Sequence, residues 1–189
     1  FWPYAPHEPL QPPPDLARDF DASPQGRHGA LLATLDGQVA GLVSALEDSG
    51  QRGNTLIVFA GDNGGTARHV PSNAPLAGSK GFFSEGGVRV PLWINDPRTR
   101  QGRWDHRPAS YLDLLPTLLR VARAGTPREL PGVDLRDPRR VPRPYFWSSG
   151  VGEAQAWSVL SADGRRRLVR DALRPKAVLY AVAARGPAW

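Results

Sequence analysis

The chain has 189 residues, no cysteine, and 24 Lys and Arg residues against 18 Asp and Glu residues, which gives a net charge of +6 at pH 7. The missing cysteine excludes disulfides, thiolate metal sites and a cysteine nucleophile within these residues. The basic runs lack regularly interleaved aromatic residues and no apolar run approaches the roughly 18 residues of a membrane span, so we expect neither a nucleic-acid partner nor a membrane span.

Residues 1–14 are rich in proline and aromatic side chains and are predicted to form an ordered loop, because proline removes a backbone donor and restricts the residue before it. His7 lies in this loop between Pro6 and Pro9, which leaves its backbone few conformations. A rigidly held imidazole suits a proton donor or an anion contact. The alternative is a histidine that stacks on the proline and tryptophan surface of the loop.

A helix followed by a strand is predicted next, which favours an α/β layer architecture. Apolar residues fall on one helical stripe over residues 29–49, and Gly50 ends the pattern. Residues 55–60 form a short, continuously apolar, β-branched run, which is typical of a strand buried on both faces. The residues of the helical stripe are Leu31, Leu32, Leu35, Val39, Leu42, Val43 and Leu46.

Asp62 and Asn63 follow this strand, and ligands of open α/β sheets bind beyond the carboxyl ends of strands. A carboxylate beside an amide oxygen offers two hard ligands that suit Ca²⁺ or Mg²⁺. Gly64 and Gly65 would let the backbone turn sharply around such an ion. The alternative is an ordinary Asp-Asn-Gly turn.

Lys80, one of two lysines in a chain that otherwise uses arginine, lies in the glycine-flanked segment Gly-Ser-Lys-Gly. Its compact ammonium can approach an oxyanion closely, although a surface lysine is the alternative. His69 lies in the loop between Asn63 and Lys80 and is a weaker substrate contact. Glu85 and Arg89 are expected to hold the following glycine turn through a local ion pair.

The remaining elements are shorter. Residues 88–95 are a strand candidate interrupted by Pro91, and residues 110–124 have helical spacing of leucines. Residues 126–144 are predicted to be a long connection. Residues 157–160 and 167–170, joined through Asp163-Gly164, favour an antiparallel hairpin because this dipeptide accepts the positive φ values of a tight turn.

Five motifs in this order resemble the C-terminal half of the type I sulfatases, and within them most closely the N-acetylgalactosamine-4-sulfatase (arylsulfatase B) group. The resemblance covers roughly residues 4–137. The motifs are His-Glu-Pro-Leu-Gln at 7–11, Asp-Asn-Gly-Gly at 62–65, Asn-Ala-Pro-Leu-Ala-Gly-Ser-Lys-Gly at 73–81, Glu-Gly-Gly-Val-Arg-Val-Pro at 85–91 and Leu-Asp-Leu-Leu-Pro-Thr-Leu-Leu at 112–119.

The resemblance implies an alkaline-phosphatase-like α/β/α sandwich portion in residues 1–140, followed by part of a small antiparallel C-terminal subdomain in residues 141–189. It implies that Asp62 and Asn63 are calcium ligands, that Lys80 contacts the sulfate, and that His7 contacts the sulfate near the leaving-group oxygen. It further implies one Ca²⁺, a sulfated small molecule or glycan as substrate, and a periplasmic, secreted or lysosomal protein.

The family also uses a formylglycine nucleophile made within a (Cys/Ser)-x-Pro-x-Arg motif, and this motif is absent from the 189 residues. The chain contains no methionine either. We therefore expect a fragment whose formylglycine and other calcium ligands lie upstream, and which alone is inactive. Two alternatives remain open: a phosphomonoester, phosphodiester or phosphonate hydrolase of the alkaline phosphatase superfamily, and a non-catalytic module that binds sulfated glycans.

Overall fold

The computed structural model describes residues 1–66, 73–99, 101–125, 127–150, 155–171 and 176–182. The chain divides into two units, Phe1–Gly102 and Arg103–Trp189. The first unit contains helices and one antiparallel strand pair, and the second contains a short helix and an antiparallel sheet of four strands. The fold class is therefore α/β, as predicted, with the antiparallel sheet following the mixed region.

In the first unit, the short helix α1 (Pro14–Ala17) precedes the long helix α2 (Pro24–Asp48). The predicted helix is confirmed, but it begins at Pro24 because the hydroxyl of Ser23 accepts a hydrogen bond from the Gly26 amide at 3.1 Å. Gly50, with a φ of 68°, follows the end of α2. A 3₁₀ turn (Arg52–Asn54) then leads into the first strand.

Strand β1 (Ile57–Ala60) pairs antiparallel with β2 (Leu92–Asn95), with Ile57 opposite Asn95. The prediction of a strand buried on both faces is wrong: β1 is half-buried at its first three residues and exposed at Ala60. Among the described residues β1 pairs with β2 alone, so no further strand covers its other edge.

The predicted strand at 88–95 begins only at Leu92. The residues before it form a helical turn, α3 (Glu85–Val88), and the Arg89 amide donates to the Glu85 carbonyl at 2.8 Å. The expected ion pair is present, with Arg89 Nη1 and Glu85 Oε2 3.6 Å apart. Pro91 lies just outside β2, where its missing N–H costs no ladder hydrogen bond.

In the second unit, a 3₁₀ turn (Tyr111–Asp113) runs into helix α4 (Leu114–Val121), which confirms the helix predicted at 110–124. The buried carboxylate of Asp113 accepts hydrogen bonds from the amides of Ser110 and Val133, both at 2.9 Å, and pairs with Arg143. This one side chain thereby ties the helix to the long connection that follows it.

The sheet of the second unit is a meander of four antiparallel strands: β3 (Tyr145–Ser149), β4 (Ala156–Leu160), β5 (Arg166–Arg170) and β6 (Val178–Ala181). The predicted hairpin is confirmed as β4 and β5, and Gly164 has the positive φ, 71°, that its turn requires. Tyr145 is buried, and its hydroxyl donates to the Pro108 carbonyl at 2.9 Å.

Helix α2 is the one helix of the described residues that is long and apolar enough to cross a membrane. This differs from the expectation drawn from uninterrupted apolar runs, because the alanines between the leucines and valines raise the mean hydropathy of the helix although polar residues interrupt the run. Helices that other segments of a protein cover meet the same criterion, so length and composition do not by themselves assign a span.

Candidate active site

Three segments of the first unit meet around the residues that the sequence singles out. The Lys80 amide donates to the Gly65 carbonyl at 3.0 Å, and the Gly64 amide donates to the Gly87 carbonyl at 3.0 Å. The Thr66 hydroxyl donates to Glu8 Oε1 at 3.3 Å. The N-terminal loop, the loop after β1 and the glycine-rich segment before β2 are therefore joined directly.

His7 and Lys80, separated by most of the unit in sequence, are in contact. The distance between Lys80 Nζ and His7 Nε2 is 3.2 Å. The other ring nitrogen, Nδ1, lies 2.8 Å from the carbonyl oxygen of Glu8, and the Tyr4 ring packs at 5.1 Å from the imidazole. Because a carbonyl only accepts, we assign the hydrogen to Nδ1, which leaves Nε2 to accept from the Lys80 ammonium.

Asp62 and Asn63 lie in the loop directly after β1. Asp62 is exposed, and its Oδ1 accepts from the Asn63 amide at 2.9 Å. The side-chain nitrogen of Asn63 donates to the Gly64 carbonyl at 3.0 Å, which turns its Oδ1 away from that bond. Within the described ranges, Asp62 Oδ2 and Asn63 Oδ1 have no hydrogen-bond partner.

These two oxygens fit a hard cation in chemical type but do not complete a coordination shell. Calcium takes six to eight oxygen ligands. In the described part of the chain no group of three or more His, Cys, Asp or Glu side chains could hold a metal ion. A cation bound at Asp62 and Asn63 therefore requires additional ligands besides this pair.

The glycines of these loops are required by close approach of backbone to backbone. A Cβ on Gly64 would lie 1.7 Å from the Gly86 carbonyl oxygen, and one on Gly86 would lie 2.3 Å from that of Gly78. Neither Gly64 nor Gly65 has a positive φ. The sequence suggested that glycine is needed for a sharp turn around an ion. At position 64 glycine is instead required because a side chain would overlap the Gly86 carbonyl.

Asn73 was not assigned a role from the sequence, although its side chain joins two of the loops. Its Oδ1 accepts from the Gly65 amide at 2.9 Å, and its Nδ2 donates to the carbonyls of Gly65 and Gly78, both at 3.0 Å. An Asn-Ala-Pro sequence reads as a turn, so only the long-range contacts reveal this clamp. His69, the weaker candidate, lies outside the described residues.

Comparison with known proteins gives a consistent family. The Sulfatase family model matches residues 1–124. Arylsulfatase A of Bos taurus is 42% identical over 117 residues, which cover 60% of this chain and 23% of that protein. Steryl-sulfatase of Mus musculus is 35% identical over 124 residues, covering 59% and 19% of the two chains. The matches thus span about a fifth of the length of these curated relatives.

Two solved structures extend the similarity along the chain. Ps i-CgsB in complex with k-i-k-neocarrahexaose has a TM-score of 0.77 and 26% identity, covering 93% of this chain and 41% of that one. The phosphonate monoester hydrolase SpPMH from Silicibacter pomeroyi has a TM-score of 0.65 at 20% identity, covering 86% and 35%. At that identity the second structure indicates a shared fold alone.

Proposed function

Because this chain belongs to the sulfatase family, we propose that it contributes the anion-binding part of a site that hydrolyses a sulfate ester. The observation that carries the proposal is the 3.2 Å separation of Lys80 Nζ and His7 Nε2, which brings a cation and an imidazole from distant segments to one point. The resemblance to the arylsulfatase B group stays a prediction.

Lys80 is proposed to bind a sulfuryl oxygen. The Lys80 backbone is held by its amide bond to the Gly65 carbonyl, and its ammonium lies 3.2 Å from His7 Nε2, where it can stabilise charge that builds up on the sulfuryl oxygens. A calcium ion bound in part by Asp62 and Asn63 would supply further charge neutralisation there. The family is generally metal-dependent; the assignment of these two residues as its ligands is part of the proposal.

His7 is proposed to protonate the leaving alcohol. In the substrate complex the Lys80 ammonium turns from Nε2 to a sulfuryl oxygen, and Nε2 then carries a proton. When the S–O bond breaks, the electron pair stays on the alcohol oxygen, and that oxygen takes the proton from Nε2. The ring is left neutral with its hydrogen on Nδ1, where the Glu8 carbonyl keeps it oriented. The nucleophile is not proposed from this chain, because its residues include no cysteine and no formylglycine motif.

A sulfated glycan is the proposed substrate class. Support comes from Ps i-CgsB, which was solved with k-i-k-neocarrahexaose and whose structure matches 93% of this chain. We also propose that residues 1–140 belong to the catalytic α/β domain and residues 141–189 to a C-terminal subdomain.

Sulfate binding tests the proposal without requiring turnover. Isothermal titration of the full chain with inorganic sulfate, in buffer containing calcium chloride, measures the affinity. The variant Lys80→Ala should bind sulfate at least about 10-fold more weakly, because it loses a charge-assisted contact. Lys176→Ala removes the chain's other lysine and is the matched control. Equal loss in both variants, or no loss in Lys80→Ala, would overturn the proposal.

A further inference from the structure

The His7 loop (residues 1–13) is joined to the other loops of the candidate active site through side chains. Its backbone hydrogen bonds among the described residues are local: the His7 amide donates to the Tyr4 carbonyl at 2.9 Å, and the Gln11 amide donates to the Pro9 carbonyl at 2.8 Å. Such local bonds shape the loop but do not fix its position relative to Lys80. The position of the imidazole therefore depends on polar contacts made by side chains.

Glu8 holds the imidazole with its backbone and the loop after β1 with its side chain. Its carbonyl oxygen accepts from His7 Nδ1 at 2.8 Å and also from the Tyr4 hydroxyl. Its Oε1 accepts from the Thr66 hydroxyl at 3.3 Å. Both Glu8 and Thr66 are half-buried, so water competes less for this bond than it would at an exposed position. One residue thus orients the ring and anchors the loop that carries it.

The bond between Thr66 and Glu8 closes a circuit of contacts around the candidate site. Thr66 directly follows Gly65, whose carbonyl accepts from the Lys80 amide at 3.0 Å. Lys80 Nζ in turn lies 3.2 Å from His7 Nε2. The members of the circuit are, in order, Lys80, Gly65, Thr66, Glu8 and His7. Because the other links are covalent or backbone bonds, the contact between Thr66 and Glu8 controls how closely the imidazole approaches the ammonium.

We propose that Thr66 and Glu8 are positioning residues, whose contact sets the distance between the His7 imidazole and the Lys80 ammonium. Neither of the two side chains touches the sulfate in this proposal. Its consequence for sulfate binding rests on the proposed function, in which one small anion must reach both groups. Without the contact, the His7 loop separates from the Lys80 segment and Nε2 loses its partner.

The separation of His7 and Lys80 can be followed without any ligand. Two-bond ¹H–¹⁵N spectra of the full chain give the resonances of both His7 ring nitrogens. Lys80→Ala should shift the Nε2 resonance of the otherwise wild-type chain, because it removes the partner at 3.2 Å. In a Thr66→Val chain the same substitution should no longer shift Nε2, while Nδ1 keeps its hydrogen because its bond to the Glu8 carbonyl is local. Thr66→Ser keeps a hydroxyl and should restore the shift.

Two further variants make this test decisive. Thr34→Val is the matched control: the Thr34 hydroxyl donates to the Ala30 carbonyl at 2.9 Å within α2, and its loss should leave the Lys80-dependent shift intact. Glu8→Ala breaks the contact with Thr66 from its other end and should abolish the shift as Thr66→Val does, which covers a Thr66→Val chain that fails to fold. A Lys80-dependent shift that persists in either folded variant would overturn the inference.

Titration with inorganic sulfate, in buffer containing calcium chloride, separates this inference from the proposed function. Thr66→Val should bind sulfate about 5-fold more weakly than the wild-type chain, which corresponds to the loss of one hydrogen bond, and Thr66→Ser should bind it as the wild type does. Unchanged affinity in Thr66→Val would overturn the role of this contact in sulfate binding. A wild-type chain that binds no sulfate, but whose Nε2 shift depends on Thr66, would overturn the proposed function and leave the positioning of His7 standing.

Discussion

The side chain of Asn73 places the candidate cation loop against the candidate anion loop. Three hydrogen bonds, one accepted and two donated, fix Gly65 and Gly78 on either side of it. Because Lys80 lies two residues beyond Gly78 and bonds Gly65 through its own amide, a shift between these loops would move the ammonium. Asn73 therefore holds the segment that carries Lys80 against the loop after β1.

We predict that Asn73→Ala weakens inorganic sulfate binding by about 10-fold while the chain remains folded, because Lys80 is no longer held in place. Asn73→Asp keeps the acceptor for the Gly65 amide but loses both donors. Its affinity for inorganic sulfate should therefore be below that of the wild-type chain. Calorimetric titration gives the affinity and circular dichroism gives the melting temperature. A lowered melting temperature with unchanged affinity would mean that the clamp is structural only.

The ring of His7 provides a spectroscopic prediction. If Nδ1 carries the hydrogen and donates to the Glu8 carbonyl, two-bond ¹H–¹⁵N spectra of the neutral imidazole should show a protonated Nδ1 and an unprotonated Nε2. Lys80→Ala should perturb the Nε2 resonance far more than Lys176→Ala does, because only Lys80 lies within 3.2 Å of it. The opposite tautomer would contradict the assigned hydrogen-bond pattern.

At this scale the sequence identified His7, Lys80, Asp62 and Asn63 through residue types and their order along the chain. The structure brings the first two into contact, and it places the other two in a loop bonded to the Lys80 segment. Their roles stay predictions. The role of Asn73 could not be predicted, because a side chain that hydrogen-bonds to backbone groups several residues away leaves no signal in composition or periodicity.

Among the elements, the glycine-rich loops around Gly64 show how strongly backbone proximity constrains the site. We predict that Gly64→Ala destabilises the first unit by about 3 kcal/mol, because its Cβ would overlap the Gly86 carbonyl at 1.7 Å. Gly37→Ala, in the middle of α2 with no atom within 4 Å of the added Cβ, should instead stabilise by about 1 kcal/mol. Urea denaturation of both variants measures the free energy of unfolding. A Gly64→Ala chain as stable as the wild type would contradict the close approach of Gly64 to the Gly86 carbonyl.

Element types were easier to predict than their environments. The stripe of α2 and the Asp163-Gly164 turn are local signals, so the helix and the hairpin were located correctly. The start of α2 was missed because its cap, Ser23-Pro24, precedes the apolar stripe. The burial of β1 was predicted wrongly, because the same apolar run suits a central strand and a strand with a single described partner, as here. Only the strand pairing distinguishes these two environments.

On the scale of the whole molecule, acid sensitivity is expected from Asp105. Burial by itself raises the pKa of Asp105, but hydrogen bonds from the Arg107 side chain and amide and the charge of Arg140 outweigh it and hold that pKa well below its usual range. The carboxylate is therefore stabilised in the native state. Its contribution is present above the unfolded-state pKa of about 4 and is lost as the pH falls toward the depressed native value.

The corresponding prediction is that Asp105→Asn lowers the free energy of unfolding by about 1 kcal/mol at pH 7 and makes it less dependent on pH below about 4. Urea denaturation at a series of pH values measures both effects. Asp15→Asn is the control, at an exposed position where the carboxylate makes no ion pair with a described residue. It should leave the fall in the free energy of unfolding below about pH 4 unchanged. An Asp105→Asn chain with wild-type acid sensitivity would contradict the assignment.

The proposed cation and anion sites of the first unit should be thermodynamically coupled if both ligands bind at the joined loops. A calcium ion held by Asp62 and Asn63 would attract a sulfate bound at Lys80, so each ligand should raise the affinity for the other by the same factor. Titrations of sulfate with and without calcium chloride, and of calcium with and without sulfate, measure this factor. Asp62→Asn should abolish it, whereas Asp36→Asn, on the exposed side of α2, should not. Sulfate affinity that is independent of calcium in the wild-type chain would mean that Asp62 and Asn63 by themselves hold no calcium ion beside the bound sulfate.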